Sequence, residues 1–368
     1  MSAHDPALQA LIDRIADARE RRAPLRIRGG DTKAFYGASP CEGPQGEPLD
    51  VRPLAGISAY EPTELVITAR AGTLLKDVEA ALAEQGQCLP FEPPRFAEGG
   101  TLGGMVAAGL SGPARASMGA VRDYVLGASL LNGRGELLSF GGQVMKNVAG
   151  YDVSRLLAGS LGVLGVICEV SLKVLPTPPA TLTLRFDLAQ DQALHAVNTL
   201  AGKPMPLHAS AWWDGTLVVR LSGAAAAVQS AREQLGGEEI PPGMAAAFWA
   251  GMRDHSDEFF VGARRAAEGG AALWRLSVPP TAPPLQLSGE QLVEWHGAQR
   301  WLCTSTPAAV VRNAAEQVGG HATLFLGRDK SSGVFAPLVP PLDRIHRELK
   351  LAFDPDRLFN PGRLYPTL

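Results

Sequence analysis

EGGTLGGMVAAGLSGPARASMGAVRDYVLG (98–127) and GGQVMKNVAGYDVSRLLAGSLGVLGVICEVSLKVLP (141–176) set glycines at close intervals between short apolar runs. A residue without Cβ lets backbone amides approach a bulky anion and adopt positive φ, at a cost in chain entropy. Glycine at this density points to a flat, phosphate-bearing ligand held by main chain. The common nucleotide fingerprints do not account for it, since neither GxGxxG after a strand nor GxxxxGK[S/T] before a helix occurs. Between 159 and 165 glycines recur every third residue, but a helical pattern precedes them and a strand pattern follows, the reverse of a Rossmann turn.

Toward the N-terminus, Leu8, Leu11, Ile12 and Ile15 predict an amphipathic helix over 6–22, followed by a strand over 25–27 and the loop Arg28-Gly29-Gly30-Asp31-Thr32. A strand is expected over 64–71 and a helix over 74–85, with Gly86 at the residue after the helix cap. Strands 125–131 and 136–140 flank an Asn-Gly-Arg-Gly hairpin signal, and a helix over 153–158 runs into a strand over 165–174. PTPP (176–179) is stiff and ill-suited to continue a sheet, so a domain boundary is expected there.

Beyond it the pattern is strand 182–186, helix 192–200, strands 208–213 and 216–221 around Asp214-Gly215, helix 225–235 and a weak strand 238–240. This βαββαβ order is ferredoxin-like. A helix over 248–260, strands 273–278 and 300–304, helix 307–318 and strand 322–326 suggest a second such half, interrupted by the proline-rich loop 279–284. A helix over 342–353 precedes the turn-rich tail DPDRLFNPGRL (354–364).

At 368 residues the chain is long enough for two to three domains of about 100 to 200 residues each. Its net charge is −3 and no lysine or arginine cluster suits a phosphate backbone, so nucleic acid is not an expected partner. Arg19, Arg21 and Arg22 complement the dipole at the end of the first helix. Cys41, Cys88, Cys168 and Cys303 lie too far apart to suggest a zinc or iron–sulfur ligand set, and no metal is expected. The first residues lack an apolar signal core and no stretch approaches ~18 apolar residues, from which a cytoplasmic protein without a transmembrane segment is expected.

Several segments together resemble the flavin-binding domain shared by relatives of vanillyl-alcohol oxidase and p-cresol methylhydroxylase (PCMH). They are the RGGDT loop, TLGGMVA, SGPAR with GAVRDYVLG, GG with KNVAGYD, GSLGVLG and FNPGRL, in that family's order. KNVAGYDVSRLLAGSLGVLG, LVEWHGAQRWL and FDPDRLFNPGRLYP further resemble the FAD-binding subunits of bacterial glycolate oxidases (glycolate dehydrogenases). The resemblance implies an α+β fold: a PCMH-type FAD-binding domain over 1–179, a ferredoxin-like α+β cap over 180–335, and a C-terminal helix and tail over 336–368 returning to the flavin.

Carried over residue by residue, the resemblance places the amides of Arg28, Gly29, Gly30, Asp31 and Thr32 around the FAD pyrophosphate. The alternative for this loop is a tight strand-connecting turn. Gly99, Gly100, Thr101, Leu102, Gly103 and Gly104, then Ser111, Gly112, Gly119, Val121 and Asp123, would line the adenosine and pyrophosphate channel and the inner flavin edge. Gly165, Val166 and Ile167 would meet the cofactor through main chain. Lys146, Asn147 and Asp152 either serve the cofactor or satisfy buried backbone. Asn360 and Arg363 would bring a donor and a cation toward the isoalloxazine, with a surface salt bridge as the alternative for Arg363.

Two departures shape the functional expectation. Relatives with covalent flavin place a histidine where this chain has Thr32, so dissociable FAD is expected. The catalytic paralogue carries, by family resemblance, a GHxGDGN-like segment holding metal and substrate carboxylate, whereas this chain has GHATLFLG (320–327). A lone His321 reads as structural.

The expected activity is oxidation of glycolate or a related small 2-hydroxy acid to the 2-oxo acid. The expected partners are a larger FAD-containing paralogue and an iron–sulfur subunit, with any contact at the inner face of the membrane made through that complex. The alternatives are a stand-alone oxidoreductase acting on a sugar, alditol or peptidoglycan precursor, and a non-catalytic structural or relay subunit.

Overall fold

A computed structural model describes residues 5–38, 46–142 and 153–368. Helix α1 (Pro6–Arg21) begins where the Asp5 carboxylate accepts the amides of Ala7 and Leu8, and ends at Arg22 in the left-handed region. Its buried Leu8, Leu11, Ile15 and Ala18 realise the predicted periodicity. β1 (Leu25–Arg28) and β2 (Glu47–Asp50) form a parallel pair beneath it.

Next come β3 (Ile57–Glu61), β4 (Val66–Arg70), α2 (Leu75–Glu84), β5 (Gln87–Cys88) and α3 (Leu102–Ala108). They are followed by α4 (Arg115–Met118), α5 (Val121–Tyr124), β6 (Val125–Leu131), β7 (Leu137–Gly141), β8 (Val166–Lys173) and β9 (Leu175–Pro176). Five of the strands make an antiparallel sheet in the order β3-β4-β8-β6-β7. Ile167, Val170 and Leu172 of β8 join a core with α2 and α3, while Val166 and Cys168 face the core built on α1, the facing changing where the β6–β8 register shifts between Ile167 and Glu169. Gly86, at φ +64°, follows α2 as expected.

The second part of the chain holds β10 (Ala180–Asp187), α6 (Gln190–Ala201), β11 (Leu207–Trp213), β12 (Thr216–Gly223), α7 (Ala225–Leu235) and β13 (Glu238–Glu239). After them come α8 (Pro242–Asp254), α9 (Glu258–Glu268), β14 (Ala272–Ser277), β15 (Glu290–Glu294), β16 (Gln299–Thr304), α10 (Ala308–Gln317) and β17 (His321–Leu326). Their single eight-stranded sheet runs β13-β10-β12-β11-β15-β16-β14-β17. Each half repeats the ferredoxin-like order in mirror sequence, and the halves join through β11 and β15. In the second half the first crossover is the proline-rich segment rather than a helix. α11 (Leu342–Phe353) and the tail return to the first sheet region, where Phe359 bridges Leu25.

Three expectations need correction. Pro176 does pair, opposite Gln87 in a two-residue ladder, which an edge position tolerates because proline needs only to accept there. The helix expected over 248–260 is two helices, broken where His255 takes φ +55° and Asp257 turns extended to start α9. Strand β15 was not expected, because EQLVE is short and follows a proline-rich run.

The two sheet regions share a core. Tyr36, Ala108, Leu110 and Leu161 pack with Trp249, Phe260, Trp301 and Phe325. Across the same junction Arg220 pairs with Glu92 at 2.7 Å and Trp295 Nε1 donates to Gly112 O at 3.0 Å.

Candidate functional site

An open cavity of about 830 Å³ lies where four segments meet: the loop after β1, α3 with the residues before it, the turn into β8, and the C-terminal tail. The loop turns at Asp31, whose φ is +54° and whose Oδ2 accepts from Arg28 Nε at 2.6 Å. Behind it a Cβ on Gly30 would lie 1.5 Å from Gly99 O, and one on Gly29 would lie 2.3 Å from Thr101 Oγ1. These two glycines therefore let the 29–32 loop press against the 99–101 segment, a reason distinct from approach to a ligand. Among the described residues, the amides of Gly29, Gly30, Asp31 and Thr32 donate to no protein acceptor.

Two cations flank these amides. Arg26 lines the cavity with a buried Nε that has no partner, its Nη1 standing 3.7 Å from Asp31 Oδ2. Lys33, over the Phe96 ring, is pushed down to about 8 by burial, with the charge of Asp254 opposing that shift. Ile27, Val51, Ala71, Ala107, Ala108, Leu161 and Ile167 supply apolar walls. Open amides, an orphaned guanidinium donor and an apolar slot fit a ligand that combines a diphosphate with flat rings.

The tail closes the cavity through Asn360. Its Oδ1 accepts from Ile27 N at 2.9 Å, its Nδ2 donates to Leu161 O at 2.7 Å and its own amide donates to Leu25 O at 2.9 Å. Asn360 is thus a clasp between β1 and the turn before β8, with its oxygen and one of its two Nδ2 protons engaged by main chain. Arg363 lines the cavity but Nη2 is shared among the carbonyls of Lys33, Ala34 and Tyr36 at 3.0–3.3 Å, not with a surface carboxylate. Burial lowers its guanidinium from the ordinary value, with Asp31 opposing.

Of the residues expected around the cofactor, Gly29, Gly30, Asp31, Thr32, Thr101, Gly103, Gly104, Gly165, Ile167, Asn360 and Arg363 line this cavity. Others do not. Leu102 and Val166 point into the cores on opposite sides, because helix and strand periodicity turn neighbours away from each other. Gly99 and Gly100 sit behind the first loop. Arg28 is spent on Asp31. The amides of Leu102, Gly103 and Gly104 are already bonded to Thr73 O, Ala71 O and Thr101 Oγ1, so the start of α3 offers little to an anion.

Ser111, Gly112, Gly119, Val121 and Asp123 also lie off this cavity. Ser111 Oγ accepts from Val121 N, Gly112 packs against Glu92 and Trp295, and Asp123 Oδ2 accepts from Ala120 N beside Gly119. Lys146, Asn147 and Asp152 fall outside the described residues. Arg26, Lys33 and Gly162 were missed. Arg26 and Lys33 flank the recognised loop by two residues and one, and alternation from Arg28 would have pointed to Arg26.

Three of the histidines stand away from this cavity. His255 stacks on Phe260 at 3.9 Å and burial lowers it to about 3. His296 lies between Ser210 Oγ and Ser117 Oγ at 3.0 and 3.1 Å, lowered by burial to about 4. His321 begins β17 opposite Ser277, away from the cavity.

Residues 7–141 match the FAD binding domain family. Glycolate oxidase subunit GlcE of Escherichia coli (strain K12) is 46% identical over 360 residues, covering 98% of this chain and 98% of that protein. Glycolate oxidase subunit GlcD of Bacillus subtilis (strain 168) is 32% identical over 165 residues, which is 45% of this chain and 34% of that one. A solved alkyldihydroxyacetonephosphate synthase superposes with a TM-score of 0.63 at 15% identity over 97% of this chain and 76% of its own, a likeness of fold.

Proposed function

The chain belongs to the glycolate oxidase subunit GlcE family of FAD-binding proteins, and on that premise we propose how its residues serve the reaction. It is an FAD-binding subunit of a glycolate oxidase, within a group of flavin-dependent oxidoreductases acting on 2-hydroxy acids. FAD, when bound, supplies the two-electron acceptor for converting the CH–OH of the 2-hydroxy acid to a 2-oxo group.

The observation that carries the assignment of the site is the row of unengaged amides from Gly29 to Thr32 beside the orphaned Nε of Arg26. These groups would hold the pyrophosphate, and Lys33 would add a cation on the same wall. Gly104 faces the cavity without a side chain and leaves the ring system room. Asn360 ties β1 to the 161–165 turn at the cavity where the cofactor would sit. Because Thr32 stands where a covalently linked relative has histidine, the cofactor is dissociable. Residues 1–179 act as the FAD-binding domain, 180–335 as the cap, and 336–368 as a strap from the cap back to the flavin site.

The protein works in a multisubunit complex. Its partners are a larger FAD-containing paralogue, which holds the acid–base chemistry, and an iron–sulfur subunit that carries electrons onward. Among the described residues no helix is long and apolar enough to cross a membrane; in this reading the complex makes any membrane contact, at the inner face. Glycolate-driven reduction of an artificial acceptor, measured with each chain omitted in turn, tests this. Activity should vanish without this chain, and full turnover by this chain alone would overturn the division of labour.

A further inference from the structure

A second cavity, of about 530 Å³, opens between α4, the start of α5 and the cap strand β14, and Ala108 lines both it and the first. Its polar lining is unusual in sign. Arg115, Arg122 and Arg275 converge on it, and among the described residues no carboxylate lines it. Among the described residues none of the three makes an ion pair, although most arginines of the chain do. Arg115 is braced over the Trp295 ring at 4.5 Å and Arg275 donates to Tyr36 Oη at 3.2 Å, so both guanidinium groups are oriented by neutral partners and keep donors free. Asp123, the acidic neighbour acting on Arg115, is engaged with Ala120 N and is not in the lining.

Three like charges held together, with Arg115 and Arg275 half-buried, are costly unless an anion joins them. The strain is visible at Arg115, whose guanidinium is lowered from its ordinary value by burial first and then by Arg122 and Arg275. The rest of the lining includes Tyr36, Leu110, Ala158 and Phe335.

We propose that Arg115, Arg122 and Arg275 form a binding site for the carboxylate of a small 2-hydroxy acid, with the Tyr36 hydroxyl beside its 2-hydroxyl group. The site rests on the reading of this chain as a subunit acting on 2-hydroxy acids. It adds a substrate-anion pocket of this chain's own at the junction of its two sheet regions. A planar guanidinium pairs with a carboxylate through two parallel hydrogen bonds, and a second and third cation fix its orientation.

The test is calorimetric titration of the full chain, loaded with FAD, with oxalate as the non-oxidisable carboxylate probe and ethylene glycol as the uncharged control. Wild type should bind oxalate and not ethylene glycol. Arg275→Gln should weaken oxalate binding about tenfold or more, the equivalent of one lost charged hydrogen bond, and Arg122→Gln should weaken it severalfold. Arg344→Gln, on the outer face of α11, should leave it unchanged.

Because Arg275 lies within a sheet, the Arg122 variant on an exposed position keeps the test valid if Arg275→Gln does not fold. No oxalate binding by FAD-loaded wild type, or equal binding by wild type and Arg122→Gln, overturns the site while leaving the FAD reading intact. Oxalate binding through these arginines in a protein whose complex does not oxidise glycolate would uphold the site and overturn the functional reading instead.

Discussion

Replacing Lys350 by methionine should loosen the tail and, through it, the FAD cavity. Lys350 and Asp354 are 1% and 0% exposed and stand 2.7 Å apart. The ammonium donates to Asp354 Oδ2, Val163 O and Phe359 O, which uses all three of its protons, while Asp354 accepts the amides of Leu358 and Phe359. Burial lowers the Lys350 ammonium from its ordinary value, and Asp354 opposes that shift. Methionine fills much the same volume but leaves a buried carboxylate without its counter-charge and two carbonyls without a donor.

Breaking one partner of such a pair costs about 3–5 kcal/mol, whereas replacing both by apolar groups costs far less. For a chain of 368 residues that is a fall of roughly 5 °C in the melting temperature. The assay is thermal unfolding of Lys350→Met, Asp354→Leu and the double variant, with FAD affinity measured in parallel by flavin fluorescence. The single Lys350 variant should be the less stable, and FAD should weaken with it because Phe359 and Asn360 position the cavity wall. A single variant that melts within about 2 °C of wild type, or a double variant no better than the single, would refute the reasoning.

Gly104→Val should fold and lose FAD, since Gly104 has no positive φ and its Cβ would meet only Thr101 Oγ1 at 3.1 Å before projecting into the cavity. FAD titration against a far-ultraviolet circular dichroism control checks it, and unchanged affinity would make Gly104 a packing residue. Glu294, buried and accepting from Trp301 Nε1 and Gln299 Nε2, is raised to about 7 mainly by burial, with those two bonds opposing the shift. Its contribution to stability is therefore present below the ordinary carboxyl range and is lost as pH rises toward 7. Glu294→Gln should flatten that decline, on the order of 3 kcal/mol, in urea unfolding compared at pH 5 and pH 8. His321→Ala should leave turnover of the assembled complex within about tenfold, because loss of a true general base costs about 10² to 10⁴.

Periodicity made the helices and the ferredoxin-like order legible, because α1, α7 and α11 each carry one apolar stripe and the β11–β12 hairpin announces itself at Asp214-Gly215. The break at His255 was hidden, since Trp249, Met252, Phe259 and Phe260 continue an apolar pattern through it. Motifs located the cavity but not its facing. A motif read as a string includes Leu102 and Val166, whereas side-chain direction hands those positions to the two cores. The roles of Gly29 and Gly30 in loop-to-loop contact, the engagement of Arg363 by carbonyls, and the gathering of Arg115, Arg122 and Arg275 all depend on contacts distant in sequence.

The central claim is that the 29–32 loop and its surroundings hold dissociable FAD. Purified full-length chain should be yellow or take up one equivalent of FAD in a fluorescence titration, and acid precipitation should then release the flavin into the supernatant. A colourless chain that takes up no FAD, or flavin that stays with the denatured polypeptide, would contradict it.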